Sequence, residues 1–591
     1  MRKLRVDRRV AVGLVICAVA AIASLWLKAQ LPMITMYNAG HDDALQVQLA
    51  SSMLNGDWLG QWTSLTLAKG IGYPLFLVAV KPLGLTPVVA SQLVYLCGSA
   101  LVALGLTLWT RRIALGTIAF VVLALSPSLF GTVASRIYRE SLTPALAITI
   151  LGLTLLATYV VARRSPTKRW AAVLVLNVVC LAVAIAWLSL TRADSIWAFG
   201  ACALIAIFSP FFESAVRRER AIRLGILGGC GVVAMGAVWM SAHVVANVND
   251  RHYGAAVLDD FSGGEFARTY KAWQAVEAGD PKEYVTITKA QRDAVYSVSP
   301  TARKLRPYLE VPPDTGWLQI SCDVVGVCDE AGVWLPWMMR DAATSAFPIS
   351  NEAQFQDVFK RIATEIEQGC SNGKLQCGRP APAVAFPRLN QIDPRTLLDY
   401  VLSDVGSVLN NSEGVDPFGN PPPQSEPVSG ETAQAWKRAV NGVPDRPMTN
   451  SWLSVTTVAT PIVNVLGSVY RVLGWLLLIP ALAGIVFGLF KAGRYRASAL
   501  IAVAALAGFF VHATLIAAFG IASGPPAIDV IYLRESQPYL LLGLAIGSWL
   551  FATQLMDLIQ RRKSSDEAAA RTVGDADEPD AEHQQTLALE R

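Results

Sequence analysis

Long apolar runs separated by basic clusters constrain this chain more than any other feature. A helix needs about 20 residues to cross roughly 30 Å of hydrocarbon. Runs of that kind fall near 10–30, 88–110, 113–130, 141–162, 170–190, 195–216, 222–244, 472–490, 498–521 and 538–560. Ten spans are therefore expected. With 53% hydrophobic and only 16% charged residues over 591 positions, the composition excludes an ordinary soluble enzyme. The fold class implied is an all-α polytopic membrane protein.

The flanks set the orientation. Basic residues gather at Arg2/Lys3/Arg5/Arg8/Arg9, Arg111/Arg112, Arg163/Arg164/Lys168/Arg169, Arg217/Arg218/Arg220/Arg223, Lys491/Arg494/Arg496 and Arg561/Arg562/Lys563. With ten spans all six clusters share one side, which the positive-inside rule makes cytoplasmic, together with both termini. The basic residues thus read as topology signals, and no nucleic-acid partner is expected. No small-x-small cleavage site precedes Lys28, so the first run is taken as a retained span. Segment 73–85, with Pro74, Lys81 and Pro82, is too short to cross and reads as an outer interfacial helix. Residues 40–75, 135–140, 191–195, 243–471 and 524–537 then face outward.

Four parts follow. Residues 1–244 form an N-terminal transmembrane module with its first outer loop at 31–87. Residues 245–455 form an extracytoplasmic soluble domain, mainly helical because apolar residues recur at helical spacing near 264–278 and 353–369. Residues 456–563 form a C-terminal transmembrane module, and 564–591 a polar, disordered cytoplasmic tail. Within the insertion, 416–427 is a proline-rich linker, while 451–470 reads as a second interfacial helix. Cys17, Cys97, Cys180, Cys202 and Cys230 lie in apolar runs as small core residues; Cys322, Cys328, Cys370 and Cys377 form two closely spaced pairs in the insertion. Disulfides suit the latter better than a four-cysteine zinc site, whose usual spacing is tighter, although sequence does not fix the pairing.

The outward segments carry the candidate chemistry. Asp42 and Asp43 open an amphipathic run beside His41, and Lys69 follows in a Gly/Pro-rich turn. Acids at a helix start suit capping, and one is enough for that. The second leaves a candidate general base or cation ligand. Arg136, Arg139 and Glu140 sit in the next outward loop, where they read equally as interfacial anchors or as phosphate contacts. Arg192 and Asp194 read as a local ion pair or as part of a site, and His512 as a packing residue within a span. Neither a nucleotide-binding glycine loop nor a serine–histidine–acid set is identifiable.

The run Asp42-Asp43-Ala44, the amphipathic helix, Asn55-Gly56-Asp57-Trp58-Leu59 and Lys69 ahead of Gly72-Tyr73-Pro74 resemble the first extracytoplasmic loop of GT-C fold, polyprenyl-phosphate-dependent glycosyltransferases. The nearest likeness is to aminoarabinose transferases and protein O-mannosyltransferases, and it covers about the first 75 residues. The resemblance implies Asp42 as catalytic base, Asp43 where glutamate is usual, and Lys69 on the donor phosphate. Arg136 and Arg139 join that phosphate set, as does Arg534, whose Arg-x-x-x-x-Tyr-Leu setting is also similar. His41 and Glu140 would contact or orient the acceptor. Two departures, Leu45 and Gly70-Ile71, stand where the family often has a basic residue and a proline pair.

The implied reaction moves a sugar from a polyprenyl phosphate to an envelope glycan, lipid or protein with inversion, outside a bacterial inner membrane. It needs no obligatory metal, with a divalent cation on Asp42 and Asp43 as the alternative. Other readings are a lipid-linked oligosaccharide polymerase or ligase, a transporter or flippase, and a non-catalytic glycan-binding assembly subunit.

Overall fold

The computed structural model describes residues 8–574 except 32, 38, 164–166, 193, 213–215, 411–429, 444–458, 492 and 527–529. The proline-rich linker at 416–427 lies outside the described residues, as do 451–458 and 575–591. The expected all-helical polytopic architecture is what the chain adopts. Among the described residues eight helices are long and apolar enough to cross a membrane: Arg8–Gln30, Pro87–Thr110, Arg139–Ala162, Lys168–Thr191, Arg217–Tyr253, Ala459–Phe490, Arg494–Ser523 and Gln537–Ser565.

Two of the ten expected runs do not form full-length helices. Segments 113–130 and 195–216 instead hold the short apolar helices Ile113–Ala124 and Ile196–Phe208, the second ending in a 3-10 turn. A 12-residue helix rises only about 18 Å, short of a bilayer.

How the chain nevertheless returns between two long helices is visible in their packing. A Cβ added to Gly98 would lie 2.5 Å from Thr149 Oγ1, and one added to Gly105 would lie 2.7 Å from Leu155 Cβ. The Pro87–Thr110 and Thr143–Ala162 helices therefore run in the same direction, backbone on backbone through small residues. The connection between them must travel the other way. It does so as the Ile113–Ala124 helix followed by 125–142, a run of short helical turns and loops in which Phe130, Ile137 and Glu140 are buried. Backbone broken up in this way is tolerated between membrane helices only inside protein or against a water-filled cavity. Here Lys28, at the end of the first helix, donates to the carbonyls of Leu129 (2.7 Å) and Ala134 (2.8 Å) and fixes the stretch in place.

Several boundaries differ from the sequence reading. Arg217–Tyr253 is one helix of 37 residues, about 55 Å long, so it carries straight past 244 into the insertion. Residues 459–470 are continuous with the Ala459–Phe490 helix and form no separate interfacial helix. Pro461 stands in its first turn, where proline is tolerated. The last helix continues to Gly574, so 564–574 are helical and not part of a disordered tail. The short Gly72–Val80 helix does not cross, as expected, but it is buried, with Tyr73 and Leu77 fully enclosed. Of the five cysteines in apolar runs only Cys202 is buried; Cys97 and Cys180 are exposed.

The insertion is helical and divides in two. Phe266, Tyr270, Trp273, Met339, Phe355 and Phe359 belong to a core of its own. Val408, Leu409, Trp436 and Val440 instead join the core of the membrane helices, and Tyr400 donates to the Gly524 carbonyl at 3.1 Å. A single domain over 245–455 is therefore too simple, because its last part packs as a piece of the transmembrane module. Disulfides join Cys322 to Cys328 and Cys370 to Cys377, and no zinc site uses these thiols.

Candidate active site

Two backbone contacts bring the first and second loops together. Ile34 N–H donates to the Ser135 carbonyl at 2.8 Å and Ile137 N–H to the Ile34 carbonyl at 3.3 Å, a parallel bridge at Arg136. Asp42 stands at the N-cap of the Asp43–Leu54 helix, yet its side chain makes no capping bond. Capping, the bland alternative for this acid, is thus not its role. The Lys69 turn presses against the end of the Lys168–Thr191 helix: a Cβ on Gly70 would meet the Leu190 carbonyl oxygen at 2.3 Å, and one on Gly72 would meet Thr191 Oγ1 at 2.2 Å. Only glycine fits both positions.

Each of the paired carboxylates takes its own cation. Lys69 Nζ forms an ion pair with Asp42 Oδ1, which also accepts from the Tyr138 hydroxyl at 3.3 Å. Arg136 grips Asp43 with Nε at 3.3 Å on one oxygen and Nη2 on the other, the bidentate fork that arginine favours. The Tyr138 ring lies among the cations: Lys69 Nζ is 5.5 Å, the Arg136 guanidinium 4.8 Å and the Arg139 guanidinium 5.8 Å from its centroid. Such contacts add attraction between each cation and the ring face. Tyr138 was passed over in the sequence, although it sits between the two arginines of the loop. For a divalent cation, Asp42 and Asp43 are a poor pair, since Lys69 and Arg136 already neutralise them. Among the described residues no group of three or more His, Cys, Asp or Glu side chains gathers to hold a metal.

Burial and charge pull these groups apart. Burial pushes the Asp42 carboxyl up, but Lys69, His41 and Arg136 together outweigh it and hold Asp42 well below the usual carboxylate range. At Asp43 burial wins against Arg136, and the carboxyl is pushed up to about 6. Lys69 and His41 are both lowered, chiefly by desolvation of their charged forms.

Behind this front lies a buried network. Glu140 Oε1 accepts from Arg139 Nε at 3.1 Å and from Arg192 Nη1 at 3.2 Å, so Glu140 orients arginines from inside the protein. Arg192 pairs with Asp194, as the local reading had it, and also reaches Glu535 at 3.7 Å. Arg534 is 2% exposed and donates to the Ser128 carbonyl, while among the described residues its Nε and Nη1 find no hydrogen-bond partner. No ion pair joins it to Asp42 or Asp43 among the described residues. His512 stacks on Trp197 at 4.7 Å and bonds Ser536 Oγ at 2.8 Å.

The insertion closes over the front. Asp260 N–H donates to the Leu67 carbonyl at 2.9 Å, Trp62 Nε1 donates to Glu352 at 2.7 Å, and Arg340 Nε reaches the Ser64 carbonyl. These contacts lay Trp317 and Trp337 against His41, at 4.9 Å and 5.3 Å between ring centroids, with Lys69 Nζ 5.4 Å from Trp337. Sequence reasoning missed both tryptophans, because nothing local marks them.

No family model and no curated protein sequence matches the chain. Among solved structures, ArnT from Cupriavidus metallidurans in the apo state is similar with a TM-score of 0.31 at 15% identity, covering 87% of this chain and 78% of that one. The apo Archaeoglobus fulgidus oligosaccharyltransferase is similar with a TM-score of 0.37 at 13% identity, covering 94% of this chain and 52% of that one. This chain therefore spans about half the length of the second. ArnT bound to undecaprenyl phosphate gives a TM-score of 0.30 at 13% identity, covering 86% and 77%. These are likenesses in the arrangement of helices, and neither activity nor residue roles come with them.

Proposed function

We propose that the chain is a membrane glycosyltransferase that moves a sugar from a polyprenyl phosphate to a hydroxyl of a cell-envelope acceptor at the outer face. The observation that carries this reading is the Asp42 carboxylate shared by Lys69 and Tyr138, with Arg136 and Arg139 beside the same ring. A base and a cationic surface for a departing phosphate thus meet at one end of the helices. The basic clusters at Arg111/Arg112 and Lys491/Arg494/Arg496 cap the other ends, which supports an extracytoplasmic site. A transporter would instead gather ionisable groups near the midplane.

In the reaction, the acceptor oxygen attacks C1 of the sugar and the C1–O bond to phosphate breaks. The phosphate leaves with the bonding electrons and the acceptor proton passes to Asp42. Attack in line with the leaving group inverts C1. A carboxylate held far below its usual range is a weak base. Donor phosphate competes for Lys69, and as the ammonium turns from Asp42 to phosphate, Asp42 regains basicity. Binding of the donor thereby activates the base. No obligatory metal is invoked, because Lys69, Arg136 and Arg139 supply the positive charge.

Mass analysis of envelope glycans, lipids and proteins from a strain lacking the chain tests the reading. Loss of one defined sugar substituent is expected, and an unchanged envelope would overturn it. Orientation is checked separately in a background where the five free cysteines are replaced. A membrane-impermeant maleimide should label Asp57→Cys in intact cells and Arg111→Cys only after permeabilisation, both positions being exposed at opposite ends of the helices.

The acid limb of kcat/KM should follow Asp43. That carboxyl, pushed up to about 6, loses its charge as pH falls through this value and lets go of Arg136. Activity therefore rises with pH through about 6. Asp42, held low, stays ionised over the same range. A profile flat from pH 7 down to 5 would refute the assignment. His41→Gln should keep the limb, which separates Asp43 from the nearby imidazole.

A further inference from the structure

Taking its location from the reading above, we propose that His41, Trp317 and Trp337 form a stacking platform for a sugar ring, edged by the Asp341 carboxylate. The two indoles face each other at 19° with centroids 6.4 Å apart, and His41 lies within 5.3 Å of both. Both tryptophans are only half-buried, although indoles normally contribute large apolar faces to cores and interfaces. Trp317 touches the margin of the insertion's core, and Trp337 meets Phe261 at 4.7 Å; part of each indole is left exposed, with His41 against both rings and Lys69 Nζ 5.4 Å from the Trp337 centroid.

A pyranose suits such a surface because its ring carbons present an apolar C–H face while its hydroxyls project from the rim. Indoles take the face, and a carboxylate takes the rim. Asp341 is exposed and accepts from Trp317 Nε1 at 2.8 Å and Ser64 Oγ at 3.3 Å. A carboxylate offers about four acceptor positions, so two are left for sugar hydroxyls. Tyr138, the other aromatic ring beside Asp42, is already surrounded by cations. A phosphate held on Lys69 has Trp337 as an aromatic neighbour from the insertion, 5.4 Å from Nζ. An acyl chain would want an all-apolar lining, whereas His41, Asp341 and Lys69 border these rings. The same chemistry serves either the donor's sugar or a sugar on the acceptor.

Saturation-transfer NMR on the purified full chain, with methyl glycosides of glucose, mannose, galactose and arabinose as probes, tests the platform without needing turnover. Ring C–H protons of at least one probe should receive saturation. Trp317→Ala should weaken that binding about three- to tenfold, the range expected for loss of one stacking face. Trp337→Phe, which keeps an aromatic face, should weaken it less than Trp337→Ala, and Trp475→Ala, on an exposed helix surface, should leave it unchanged. No transfer to any probe, or transfer indifferent to Trp317→Ala in a variant with wild-type thermal unfolding, overturns the proposal. A chain that binds pyranosides through these rings yet transfers no sugar overturns the transferase reading alone. Where turnover is measurable, a raised donor KM in Trp317→Ala assigns the ring to the donor and a raised acceptor KM to the acceptor.

Discussion

Asp42→Asn lowers turnover by about 10²- to 10⁴-fold while the protein still folds and binds polyprenyl phosphate, the loss expected when a positioned general base is removed. The substitution is nearly isosteric. Asp42 makes no N-cap bond, so the Asp43–Leu54 helix loses no cap. What disappears is the charge that holds Lys69, while the amide oxygen still accepts from the Tyr138 hydroxyl. Released from its carboxylate, Lys69 is freer to meet a phosphate, so affinity for undecaprenyl phosphate should be unchanged or higher even as chemistry fails. That opposition distinguishes a base from a structural ion pair, whose removal would weaken binding and folding together. Single-turnover rates and phosphate-lipid affinity, measured on the same preparation, decide the matter. Turnover within tenfold of the parent protein would remove Asp42 from the role.

The Asp42–Lys69 pair was legible because both residues belong to one short outer loop whose spacing is itself a motif. Arg136, Arg139 and Glu140 could be placed on the same side from topology, but their division of labour could not. It depends on the Ile34–Arg136 bridge, which hands Asp43 to Arg136 and leaves Asp42 to Lys69. Two of the ten runs lack a full-length helix for a related reason. Stretches 113–130 and 195–216 are as apolar as true spans, yet each holds a short helix followed by a 3-10 turn, and hydropathy does not report backbone geometry. Within 125–142 a run of short turns brings Arg136 to Asp43, Tyr138 to Asp42 and Arg139 to Glu140. Trp317 and Trp337 were invisible because their sequence surroundings look like ordinary insertion core. Only the fold of that insertion onto the first loop brings them to His41.

That docking supplies the second large effect. Arg340 and Asp260 form an ion pair in which both side chains are 0% exposed. Arg340 also lies 4.6 Å from the Phe355 ring and reaches back to the Ser64 carbonyl, while Gln356 ties Asp260 to the buried Glu352. Arg340→Met should therefore lower the stability of the insertion by about 3–5 kcal/mol, the usual cost of leaving one partner of a buried pair uncompensated. The sign of its pH dependence follows from Asp260, which burial pushes up to about 7 despite Arg340. A carboxyl raised above its unfolded value favours the fold when protonated and loses that contribution as pH rises from about 4 through 7. The deficit in Arg340→Met should accordingly be larger at pH 8 than at pH 5, where Asp260 takes a proton and sheds its unpaired charge. Adding Asp260→Leu should recover much of the loss, since an apolar replacement of a whole buried pair is often neutral or better. Tryptophan fluorescence during thermal unfolding of the full chain at both pH values reads all three outcomes. A double variant no more stable than Arg340→Met alone would mean that Arg340 acts through its aromatic packing and its bond to Ser64, and that the pair with Asp260 is not what fastens the insertion over the site.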